Sequence, residues 1–151
     1  MQLKQIRGKF GNFDDTLRDR VDCLFVSENL TQVILHAHLL LEQALTKRIA
    51  AKMARPDVLD GGRFSSITFA QKVTLYVGLY APEEWVVTTL QGFNRLRNTI
   101  AHQIADEPAA VFRCLPEEFR NHSLPKDAVI AAFGGLALME LGAIDGIERL
   151  D

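Results

Sequence analysis

The chain is poor in cysteine: Cys23 and Cys114 are its only two, they stand far apart, and neither falls in a CxxC or Cys/His spacing. A zinc site or a redox pair needs closely set ligands, so both thiols are expected to be free and buried. Long apolar runs are lacking too. The longest, Ala128 to Met139, is too short to cross a bilayer and carries the helix-weakening pair Gly134 and Gly135. It predicts a buried helix or a subunit contact and no membrane partner. The opening MQLKQIRGKF is basic but has neither the apolar block nor the small-residue cleavage site of a secretory signal, which predicts a cytoplasmic protein. A net charge of −2 gives no broad attraction to nucleic acid, so any contact with RNA must be local. Two further absences matter. No dense carboxylate cluster is present to hold a pair of metal ions, and no period-two stretch bounded by hairpin turns predicts a sheet.

What is present is an ordinary globular composition, 48% hydrophobic and 24% charged over 151 residues, enough to bury one continuous core. A single domain over 1–151 is expected. Leu17, Val21 and Leu24 recur at helical spacing after Asp14 and Asp15, predicting a short first helix. Asn29 with Gln32 has the pattern of a capping box, and Val33, Ala37, Leu40, Leu41, Ala44 and Leu45 then mark one face of a long helix. Pro56, Asp60, Gly61 and Gly62 predict a loop over 56–66. Thr68 and Gln71 repeat the capping pattern ahead of Val73, Tyr76, Val77 and Tyr80. Pro82, Glu83 and Glu84 suit the first turn of another helix, running to about Ile104. Pro108, Pro116 and Pro125 break up 106–125, with one helical turn around Glu117 to Arg120. Pro125 can open a final helix carrying Val129, Ala132, Phe133, Leu136, Met139 and Ala143. The fold class is therefore all-α, an antiparallel bundle of about five helices.

Chemistry concentrates in FNRLRNTIAHQ. Asn98 and His102 are i, i+4 on one helical face, and Arg95 lies two turns before His102 on the same stripe. Arg97 is offset from His102 by roughly 140° around an ideal helix, a gap its long side chain can bridge. Arginine offers a permanent charge and a planar fork of donors for phosphate, histidine exchanges a proton near neutral pH, and asparagine orients a partner or a substrate oxygen. Without an acidic cluster for metals, that set suits RNA, whose 2′-hydroxyl is an internal nucleophile.

Arg97-Asn98-Thr99-Ile100-Ala101-His102 matches the R-N-x-x-x-H signature of HEPN domains. The preceding Phe69-Ala70-Gln71-Lys72-Val73 through Leu79, then Pro82-Glu83-Glu84-Trp85, resembles that family's helix, turn and entry into the motif helix, and the likeness covers about residues 28 to 105. It implies a HEPN-like helical bundle that dimerises with its motif helices together. Many members are metal-independent endoribonucleases acting as toxins or in phage defence, and others only bind partners. The resemblance makes Arg97 and His102 catalytic with Asn98 supporting them, and implies a homodimer, an RNA substrate, an antitoxin or regulatory protein as partner, and no cofactor or metal. A symmetric pair would bring two copies of His102 into one cleft as base and acid. Some toxin members carry a tyrosine two residues after the histidine, where a paired antitoxin attaches AMP; Ile104 stands there in this chain, which argues against that mode of control. A weaker likeness extends to mannitol operon repressor-like proteins, which use a related bundle for regulation.

Each of these residues also has a plainer role. Arg97 and Asn98 can cap or brace a helix interface, and His102 can be a satisfied, partly buried histidine. Glu42 in HAHLLLEQAL either anchors Arg97 from the long helix, supporting the site together with Arg95, or faces solvent. His38 and Glu42 have the i, i+4 spacing of a metal pair but no third ligand at a persuasive distance in sequence. Phe112, Arg113, Phe119, Arg120 and His122 either stack on single-stranded RNA or, as scattered aromatics near prolines more often do, plug the end of the bundle. Gly134, Gly135, Gly142 and Gly146 allow close helix approach, including a dimer contact.

Overall fold

A computed structural model describes residues 23–59, 66–100 and 107–137. At its centre is α1, Leu30–Ala50, started by the expected capping box: the Asn29 side chain accepts from the Gln32 N–H at 2.9 Å and Gln32 returns a bond to the Asn29 N–H at 2.9 Å. Two of the helix's otherwise orphaned donors are met this way. No glycine or proline interrupts its 21 residues, and Lys47 and Arg48 lie in the last turn, against the negative end of the dipole. Val33, Ile34, Ala37, Leu41, Leu45 and Ile49 are fully buried. This stripe touches α2 (Phe69–Tyr80), α3 (Glu84–Thr99) and α5 (Pro125–Gly135). Short α4 (Ala110–Cys114) lies between α3 and α5. Among the described residues the fold is all-helical, with no strand, and none of the helices is long and apolar enough to cross a membrane.

The predicted 56–66 loop contains one 3-10 turn, Pro56–Leu59, which buries Leu59; residues 60–65 lie outside the described part. α2 repeats the capping box through Thr68 and Gln71, at 2.9 and 3.2 Å. It ends at Ala81 in the left-handed region, φ 45° and ψ 55°, whose N–H bonds to the Val77 carbonyl. Pro82 follows and cannot continue the helix. Pro82 was expected inside the first turn of α3. Instead Glu83 is the N-cap and Glu84 the first helical residue, so the proline ends one helix and the carboxylates begin the next. The tail ends of α1 and α2 are tied by Tyr80, whose hydroxyl donates to the Arg48 carbonyl, and by Lys52, which donates to the Leu79 carbonyl at 3.0 Å and lies over the Tyr80 ring.

Pro125 does open the last helix, and α5 is buried at every residue from Ala128 to Gly135 except Ile130, which is partly covered. The described part of the apolar run is thus internal, with Gly134 and Gly135 buried within the chain itself. Gly142, Gly146, Met139 and Ala143 lie outside the described residues, as do Leu17 and Val21 of the predicted first helix. One expectation fails in part: both cysteines are free, but only Cys114 is buried and Cys23 is exposed. Phe25 turns into the core, edge-on to Phe133 at 5.3 Å, and two residues of helix place Cys23 on nearly the opposite side. Around the second proline-rich segment, Phe119 is buried and Phe112 packs on the core, so these rings plug the bundle. Arg113 is held by both oxygens of Glu107, and Arg120 by the Leu115 carbonyl.

Candidate functional site

Helix α3 has two unlike faces. Val86, Thr89, Leu90, Phe93 and Leu96 follow the 3.6-residue repeat and are buried. Gln91, Asn94, Arg95 and Asn98 follow it on another side, and all but the half-buried Asn94 are exposed. Arg97 continues the buried register of Leu90 and Phe93 by one turn, yet it is exposed. Arg95 and Arg97 therefore leave the helix about 160° apart. Arg95 shares its stripe with Asn98, as expected. The described helix ends at Thr99, with Ile100 still right-handed; His102 and Ile104, to which the helix was expected to run, lie outside the described residues.

Arg95 is anchored. Its Nη2 donates to the Cys114 carbonyl at 3.2 Å, at the end of α4. Gly92, one turn earlier on α3, makes this possible: a Cβ there would stand 2.4 Å from the same Cys114 oxygen. The glycine thus lets α4 approach closely enough for its last carbonyl to meet the guanidinium. Across the other side of the stripe, α2 and α3 leave a groove of about 430 Å³ lined by Ala70, Val73, Thr74, Gln91, Asn94 and Arg95.

Arg97 looks toward a different group. On α1, His38 is buried at 4% exposure, with its ring tilted on Phe69 at 4.2 Å between centroids. Its pKa is pushed down from 6.5 to about 4, chiefly by burial and then by the positive charge of Arg97, while the Glu42 carboxylate opposes both. The imidazole is consequently neutral at pH 7. Its Nδ1 stands 4.0 Å from the Glu42 Oε2, beyond hydrogen-bond reach, and its Nε2 is buried with no hydrogen-bond partner among the described residues.

Glu42 was expected either to hold Arg97 or to face solvent. It does neither cleanly: one-third exposed, it makes its ion pair with Lys72 of α2, whose Nζ donates to Oε1 at 3.0 Å. The lysine is buried at 7%. Its position is the signal that the sequence offered and that went unread, since Lys72 falls inside the apolar stripe Phe69, Val73 and Tyr76. A charge there needs a partner. Gly92 was overlooked as well, although a glycine on the buried side of a helix marks a close approach. Among the described residues, no three histidine, cysteine or acidic side chains come together as a metal site, and the His38–Glu42 pair gains a lysine rather than a third ligand.

Comparison with protein-family models, with curated proteins and with solved structures gave no match to this chain.

Proposed function

We propose that the protein is a metal-independent endoribonuclease of the HEPN type, acting as a homodimer in a toxin-antitoxin pair or in phage defence. The observation that carries this reading is the exposure of Arg97 and Asn98 at the end of α3, where a phosphate can reach both the guanidinium fork and the amide. In the proposed reaction His102 accepts the 2′-hydroxyl proton, the 2′-oxygen bonds to phosphorus, and the bond from phosphorus to the 5′-oxygen breaks. His102 of the partner subunit protonates that leaving oxygen, giving a 2′,3′-cyclic phosphate and a 5′-hydroxyl. Arg97 stabilises the charge gathered on the phosphoryl oxygens, and Asn98 orients them.

The test is incubation of the purified protein with RNA in excess chelator, comparing wild type, Arg97→Ala and His102→Ala after each is shown to be folded. Wild type should cleave and leave cyclic phosphate ends. Each variant should lose about 10²-fold or more in rate. Undiminished cleavage by both variants, or none by wild type, would overturn the proposal. Absence of cleavage favours a second reading, a HEPN-like interaction module of the mannitol-repressor kind. That reading draws on Leu35 and Leu39, which stand one turn apart on α1 at 46% and 52% exposure and offer an apolar face to another protein.

A further inference from the structure

The groove between α2 and α3 is more than a gap in the packing. We propose that it binds one unpaired nucleotide of the RNA strand beside the scissile position, and so selects which sequence is presented for cleavage; this rests on the ribonuclease reading. Its volume, about 430 Å³, lies in the range of small-ligand sites. Ala70 and Val73 give an apolar floor, on which the face of a base can lie. Gln91 and Asn94 each bring an amide with both donors and an acceptor, the complement that a base edge requires. Arg95 supplies charge for the attached phosphate, and among the described residues no carboxylate lines the groove to oppose it.

Two features argue for a built site. The Arg95 guanidinium is already tethered through one N–H to the Cys114 carbonyl, so less freedom is lost when its remaining donors engage a ligand. That tether depends on Gly92, whose missing side chain admits the carbonyl. The groove also lies one turn from the motif: Gln91, Asn94, Arg95 and Asn98 occupy one stripe of α3, so a strand whose phosphate sits at Asn98 can pass along the groove. Thr74 borders the opposite wall, its hydroxyl donating to the Ala70 carbonyl.

The experiment measures binding of a fluorescent single-stranded oligonucleotide, made uncleavable by 2′-deoxy substitution, to the full chain and to Ala70→Leu and Arg95→Gln. Thermal unfolding of each confirms that it folds. Ala70→Leu fills the groove and should raise Kd by about tenfold or more. Arg95→Gln should raise Kd and reduce the slope of log Kd against log salt by about 0.7, as expected for one lost phosphate contact on a single strand. If the oligonucleotide does not bind, or if Ala70→Leu binds it as wild type does, the groove proposal is wrong. Cleavage of ribose-containing RNA, followed in parallel, separates the two claims. Wild-type cleavage with Kd unmoved by Ala70→Leu defeats the groove alone; groove-dependent binding without cleavage defeats the nuclease alone.

Discussion

The interface of α1 with α2 and the outer stripe of α3 both carry charge, but they treat it in opposite ways. Between α1 and α2, Lys72 is buried, Glu42 meets its charge at 3.0 Å, and His38 stays neutral because the surrounding core will not accept a proton on it. On α3, Arg97, Asn98 and Arg95 reach water, and Arg95 spends a single donor on a backbone carbonyl. In the first region the charges are committed to one another, and their removal should change stability. In the second they are open to solvent, and their removal should leave stability nearly unchanged. A single guanidinium, Arg97, connects the two by acting on His38 from outside.

The largest effect should follow from breaking the committed pair. Lys72→Met keeps the stem in the apolar stripe but leaves the Glu42 carboxylate beside a neutral histidine. Removing one partner of a fully buried pair costs about 3–5 kcal/mol, and because Glu42 keeps some access to water the expected cost is about 2–3 kcal/mol, read as a lower urea midpoint. Lys72→Met combined with Glu42→Gln should recover much of the loss, since the two sites interact and their effects do not add. Arg97→Ala measured in the same way should fall within about 0.5 kcal/mol of wild type, as exposed residues do. Equal losses from Lys72→Met and Arg97→Ala would erase the distinction.

The helices were readable because their signals are local. Asn29 and Gln32, and Thr68 and Gln71, are three residues apart, and each capping box closes within one turn whatever the rest of the chain does. The apolar face of α1 is likewise fixed by a repeat inside a single segment. The opposed directions of Arg95 and Arg97 follow from helix geometry alone. What escaped depends on meetings between segments distant in sequence. Glu42 finds Lys72 thirty positions on, and Gly92 earns its place only because the Cys114 carbonyl arrives against it. Nothing in HAHLLLEQAL says which of several cations will lie opposite. The lysine within an apolar stripe did show that some buried partner was required.

Acidification should come next in size. Below about pH 6.5 the unfolded chain protonates His38, whereas the folded chain resists until about pH 4, so folding loses stability as pH falls through that window and keeps it above. At pH 5 the difference from pH 7 is about 2 kcal/mol for this one group. Other carboxylates and histidines titrate as well, and His38→Gln isolates the contribution: its stability should fall less steeply between pH 7 and pH 5 than that of wild type in urea titrations. An identical slope in the two proteins would mean that the core does not exclude the proton from His38.

The smallest effect tests the connection itself. Arg97→Gln removes a charge that holds the His38 pKa down, so that pKa should rise in the variant, followed by NMR on the ring proton assigned through His38→Gln. It should remain below 6.5, because burial is the larger cause and stays in place. Salt provides the control. Arg97 acts from the solvent side, so raising ionic strength toward 1 M shortens the Debye length to about 3 Å and should shift the His38 pKa upward in wild type relative to the variant, in which only the opposing Glu42 charge is left to screen. A pKa indifferent to both the substitution and the salt would make the α1–α2 interface and the α3 stripe electrostatically independent.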